Sequence, residues 1–180
     1  DRTFNPAGMY FDENGNRQFY DDETDNYAQN HFQLHWSQKW SDKWVSNAAL
    51  HYTIGKGYFE QYREDETLAD YNLPDFQGNA ISDLVRKRWL DNDFFGAVFS
   101  LNYKTPKTDV MLGGAANRYL GDHFGEVVWT QYYVPAANRY YNNIGNKDDV
   151  NVYAKASQQF GKLNVFADLQ YRMVFYEATS

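Results

Sequence analysis

The chain has no cysteine, only 4 prolines in 180 residues, and no long apolar run. Without cysteine there is no disulfide framework and no thiolate zinc site. No stretch approaches the roughly 20 apolar residues that a membrane helix needs, and the mean hydropathy is -0.78. Basic residues are outnumbered, 17 against 24 acidic, for a net charge of -7. That balance argues against binding a nucleic-acid backbone. No secretory signal opens the chain. Low hydropathy does not exclude a membrane β-barrel, because only every second residue of a barrel strand faces lipid.

What the chain does hold is aromatics, 19% in all, with 16 Tyr and 13 Phe. These residues favour strands. The clearest pattern runs from Val150 to Tyr176, where two stretches alternate with period two about Gly161-Lys162. Alternation of this kind marks strands with two unlike faces. A two-residue link with glycine first suits a type II′ turn. The turn then sets Ala156 opposite Ala167, Ala154 opposite Leu169 and Val152 opposite Tyr171 on an apolar face. On the other face it sets Lys155 opposite Asp168 and Asn151 opposite Arg172. The charge match supports the register.

Similar alternation predicts four more strands, over about 27–40, 44–62, 84–103 and onward from 110, the third with a bulge near 91–93. Short turns fall at 41–43, 104–109 and 161–162. Long connections fall at 63–83 and 121–147, and 1–26 reads as loop. Phe99 lies opposite Gly114, an aromatic over a cross-strand glycine. The expected fold is all-β, an antiparallel meander of about six long strands. Short turns at one end and long loops at the other follow the plan of outer-membrane barrels. Six strands are too few to close such a barrel, and open edges are not tolerated in lipid. The whole of 1–180 is therefore expected to be a partial barrel domain, an arc of a larger wall lying in the outer membrane of a Gram-negative bacterium.

Several stretches carry a resemblance: N-P-A-G at 5–8, F-Y-D-D-E-T-D-N-Y at 19–27, H-F-Q-L-H-W at 31–36, L-H-Y-T-I-G-K-G-Y-F-E-Q-Y at 50–62, R-K-R-W-L-D-N-D-F-F-G at 86–96, G-G-A-A-N-R-Y-L-G-D-H-F-G at 113–125 and A-D-L-Q-Y-R at 167–172. In order and spacing they resemble the barrel wall of TonB-dependent outer-membrane receptors of the Bacteroidetes type. The resemblance implies a barrel of about 22 strands filled by a plug domain. It also implies uptake of an iron chelate, vitamin, glycan or peptide, driven by the TonB complex. It implies no enzyme activity and no cofactor. Two other readings stay open: a soluble β-sheet module that binds glycans, and a passive porin.

Candidate sites follow from the faces. Gln33, Asn47, Asn102, Asn117, Lys155, Asp168, Gln170 and Arg172 are expected to line the lumen and hold the plug. His31, His35 and His51 share that face, at a spacing that could bind a transition metal. A water-facing wall accounts for them more simply, and no metal is expected. Trp36, Trp40, Trp44 and Tyr103 are expected to form the aromatic girdle at the lipid interface. The aromatics expected in loops, Trp129, Tyr132, Tyr133, Tyr140 and Tyr141, are ligand-contact candidates. Asp91 with Asp93, and Asp122 with His123, lack a nucleophile or oxyanion donor beside them, so no catalytic residue is assigned. Asp148-Asp149 and Asp21-Asp22-Glu23 read as solvated loop charge.

Overall fold

The computed structural model describes residues 9–19, 25–132 and 138–180. The chain is all-β. A small hairpin, β1 (Met9–Phe11) and β2 (Arg17–Phe19), precedes six long strands: β3 (Asp25–Lys39), β4 (Trp44–Thr67), β5 (Ile81–Lys104), β6 (Thr108–Thr130), β7 (Arg139–Phe160) and β8 (Leu163–Thr179). The six pair antiparallel in chain order in one sheet. Each strand pairs with its sequence neighbour, so the connections are hairpins and no crossover is needed.

The last hairpin has the expected register, with Lys155 opposite Asp168, Ala154 opposite Leu169 and Asn151 opposite Arg172. Gly161 sits at φ +60°, and Lys162 does not share that left-handed region. This is the backbone that a II′ turn requires and that glycine supplies without strain. At the first hairpin the Trp40 amide donates to the Trp44 carbonyl at 3.0 Å. Phe99 pairs with Gly114, and its ring covers the space where a Cβ would stand.

The expected boundaries need correction at the other end of the sheet. Strands β4 and β5 each run to 24 residues and β6 to 23. The connection expected over 63–83 shrinks to 68–80, and the one over 121–147 to 131–138. The reason is compositional. In these stretches both faces carry polar and aromatic side chains, so the two-residue alternation fades although the ladder continues. The bulge expected at 91–93 is absent: Asp91, Asn92 and Asp93 pair regularly with Lys56, Gly55 and Ile54. Irregularities lie instead at Arg63/Glu66, Val85/Arg86 and Gly125/Glu126. Residues 9–19, expected as loop, form the small hairpin, with Gly15 at φ +77° in its turn.

Trp36, Ala48, Phe99, Gly114, Val152 and Tyr171 form one row across the sheet. Counted down from that row, the three hairpin turns are centred 6, 7.5 and 9.5 residues away. The turns therefore step by close to one residue per strand.

The hydrophobic core is small and sits at the end opposite these turns. A short 3-10 helix, Leu68–Tyr71, folds back so that Leu68, Tyr71 and Leu73 pack on Leu84, Val127 and Tyr140. On the other side of the sheet Tyr10 of β1 rests on Tyr62, ring centroids 5.4 Å apart. Elsewhere one face presents Phe32, Leu34, Trp36, Leu50, Phe99, Leu112, Val152, Leu169, Tyr171 and Phe175 without cover. Leu169 is 76% exposed and Leu34 66%.

Candidate functional site

The candidate site is the polar face opposite that apolar one. Period-two alternation and the observed register place Gln33, Asn47, Asn102, Asn117, Lys155, Asp168, Gln170 and Arg172 on it together. Nearest the short turns, Ser37 donates to Asn47 and Asn47 to Ser100, while Asn102 also reaches Ser100. Lys155 and Asp168 form an ion pair at 3.4 Å. Arg172 pairs with Asp149 from the neighbouring strand.

The three histidines share this face, and His51 is directly opposite Gln33. Each ring nitrogen that is bonded meets a neutral group. His31 Nδ1 contacts Thr53 Oγ1 at 2.9 Å, His35 Nε2 contacts Gln33 Oε1 at 3.1 Å, and His51 Nε2 contacts Asn117 Oδ1 at 2.8 Å. The last bond spans two strands and passes over Gly96. A Cβ there would collide with the Ala116 carbonyl and the Asn117 amide. Among the described residues no three His, Asp or Glu side chains converge as a metal site would need.

Trp36, Trp40, Trp44 and Tyr103 all lie on the apolar face beside the short turns. Trp36 meets Trp40 edge-on at 6.3 Å, and Trp44 tilts onto Tyr103 at 4.8 Å. The Trp40 indole N–H donates to Ser46 Oγ at 2.7 Å. Further along, the apolar face ends in charge. Tyr52 donates to Asp93, Lys56 pairs with Asp91, and Arg118 makes a two-pronged contact with Asp148. Asp148 and Asp149 thus serve opposite faces and form no joint cation site. Asp122 and His123, neighbours in β6, likewise point apart.

The aromatics expected in loops are mostly in strands, which corrects that reading. Trp129 is the penultimate residue of β6, and Tyr140 and Tyr141 follow Arg139 at the start of β7. Tyr132 is in the connection and stacks on Phe76 at 5.1 Å. Tyr133 lies outside the described residues, as do Asp21, Asp22 and Glu23.

The upper part of the polar face holds a cluster that the alternation did not disclose. Arg86 donates to Gln61 and to the Tyr71 hydroxyl, and Tyr71 donates to Glu66. Burial, then the hydrogen bond to Glu66, pushes the Tyr71 phenol up to about 12. For Glu66 burial raises the pKa, but the Tyr71 and Arg63 hydrogen bonds and the nearby guanidinium charges outweigh it and hold the carboxyl low. Arg88, two residues on, donates to the Tyr141 hydroxyl at 3.3 Å. The i, i+2 spacing of Arg86 and Arg88 inside the expected strand is the available signal, but their partners Glu66, Tyr71 and Tyr141 fall in stretches whose composition reads as connection.

No protein-family model matches the chain, and no curated protein sequence is significantly similar to it.

Proposed function

We propose that the chain is part of the barrel wall of an outer-membrane TonB-dependent receptor, and that it serves ligand import and not catalysis. The observation that carries this reading is the uncovered apolar face. It runs across all six strands, from Leu34 to Phe175, and is backed by a face of amides, hydroxyls and ion pairs. A soluble monomer rarely exposes a contiguous apolar patch beyond a few hundred Å². Lipid accounts for one face and a watery lumen for the other.

Two further features support it. Trp36, Trp40, Trp44 and Tyr103 rim the apolar face at the short turns, where an aromatic girdle would meet the headgroups. The stepping of the turns also fits. With ~3.3 Å per residue and ~4.8 Å between strands, turns lying in one plane imply strands inclined by roughly 30°, near the tilt of closed barrels. The polar face would contact a plug domain through the side chains already described, and further strands would continue the sheet at β3 and β8.

The 180-residue chain produced alone should be insoluble without detergent, since its edges and apolar face are both unpartnered. The full-length receptor should extract only with detergent and migrate faster on a gel when unheated. A soluble, monomeric, cooperatively unfolding chain of these 180 residues would overturn the membrane reading and favour a soluble glycan-binding module.

A further inference from the structure

On the polar face, far from the short turns, lies an open cavity of about 420 Å³ lined by Arg88, Tyr119, His123, Tyr141, Asn143 and Tyr176, among others. Its size is within the range of ligand pockets, roughly 300–1,000 Å³. Strands β5 to β8 all contribute. The register brings the contributors together: His123 pairs with Asn143, and Gly121, the neighbour of Tyr119 two places on, pairs with Gly145. Gly145 gives the depression a shallow floor, with the Tyr176 hydroxyl 3.6 Å from where its Cβ would be, while the Tyr119 ring covers the neighbouring Gly121.

The electrostatics of this cavity differ from those of the other face at the same height. There the cations meet carboxylates: Lys56 with Asp91, Lys87 with Glu60, Arg118 with Asp148, Arg139 with Glu126. Arg88 is an exposed guanidinium whose hydrogen-bond partner is the neutral Tyr141 hydroxyl. Its Cζ lies 5.7 Å from the Phe59 ring centroid and 5.8 Å from that of Tyr141. Among the described residues it has no ion pair. A guanidinium braced on two rings and facing a cavity is set to receive a carboxylate through its two-pronged donor edge.

The remaining lining narrows the class. Tyrosine rings offer flat apolar surface with a polar tip, which suits the C–H face of a pyranose. Asn143, His123 and the tyrosine hydroxyls offer both donors and acceptors, more than a small aromatic acid could use. We infer that this cavity binds an acidic sugar, with Arg88 taking the uronate carboxylate and the tyrosines stacking on the ring. The inference rests on the reading of the polar face as the wall of an uptake channel and names the class of ligand that channel would take.

The test is calorimetric titration of the full-length protein with a trimer of galacturonic acid, beside the corresponding neutral galactose trimer. The acidic trimer should bind, and the neutral one should bind at least tenfold more weakly. Arg88→Gln should weaken the acidic trimer by about 10- to 100-fold, the scale of a charge-assisted hydrogen bond, and leave the neutral one unchanged. Arg88→Lys, which keeps the charge and loses the fork, should lose less. Asn143→Ala should weaken both trimers. Heat-modifiable gel migration of each variant reports folding separately. It also judges the barrel reading independently, because a non-barrel protein that still shows the Arg88 dependence keeps the site and loses the channel. Absent binding of the acidic trimer, equal affinity for the two trimers, or indifference to Arg88→Gln in a folded protein overturns the proposal.

Discussion

At the scale of single residues, Gly96 shows how an empty position can organise a face. It lets His51 of β4 reach Asn117 of β6 across the intervening strand. Gly96→Ala should therefore cost about 1–3 kcal/mol, the usual range for an overpacked site. Gly145→Ala, whose added methyl would meet only the Tyr176 hydroxyl at ordinary contact distance, should cost under about 0.5 kcal/mol. Urea titration of the protein refolded into micelles measures both, and equal costs would refute the crossing. The Glu66–Tyr71 pair gives a pH dependence with two signs. Glu66 has a lowered pKa, so its contribution is present above the unfolded carboxylate value and is lost as pH falls through the folded one. Tyr71 has a raised pKa of about 12, so its contribution is present below the unfolded phenol value and fades as pH rises towards that number. Proteolysis of the 68–73 segment should increase at both extremes, and Glu66→Gln should abolish the acid limb.

At the scale of elements, each strand is legible where its two faces differ and opaque where they do not. The alternation Val152-Tyr153-Ala154-Lys155-Ala156 discloses a strand, a face and a register at once. The stretch Gly121–Gly125, with glycines, an aspartate and a histidine, has the composition of a loop. Its glycines are there for the rings laid on them, Tyr119 on Gly121 and Tyr140 and Tyr141 on Gly125. Composition records the small residue but not the ring that covers it, so the upper strands and the Arg88 cavity were not visible. The lower face was, because Gln33, Asn47, Asn117 and Lys155 all fall inside clear alternation. The face assignment has its own test. Leu50→Arg or Leu169→Arg should cost about 2–4 kcal/mol at mid-membrane, while Gln33→Arg should cost well under about 1 kcal/mol. Equal costs in a refolding assay into lipid would reverse the faces.

At the scale of the whole molecule, protection should follow the ladder and not the connections that composition suggests. Residues 74–80 are exposed without interruption, whereas Leu68, Tyr71 and Leu73 before them are buried. Protease added outside intact cells should therefore cut within 74–80 before it cuts in 63–67 or 121–130. First cleavage inside β4 or β6 would show that those strand ends do not persist. Their pairing resumes beyond each bulge and reaches Thr67 and Thr130, which argues that they do.

The length of β4 and β5 has a consequence for where a ligand is first met. A strand of 24 residues at ~3.3 Å per residue, inclined by roughly 30°, rises about 70 Å, against an apolar band of about 25 Å. On the proposed reading some 40 Å of wall would stand clear of the hydrocarbon like a chimney. Its outward side there is a mosaic of paired charges and stacked rings, Lys56 with Asp91 and Trp89 on Phe124, suited to the sugar layer of a bacterial surface. A solute entering at the top would be screened by that height, and selection would begin well before the membrane itself.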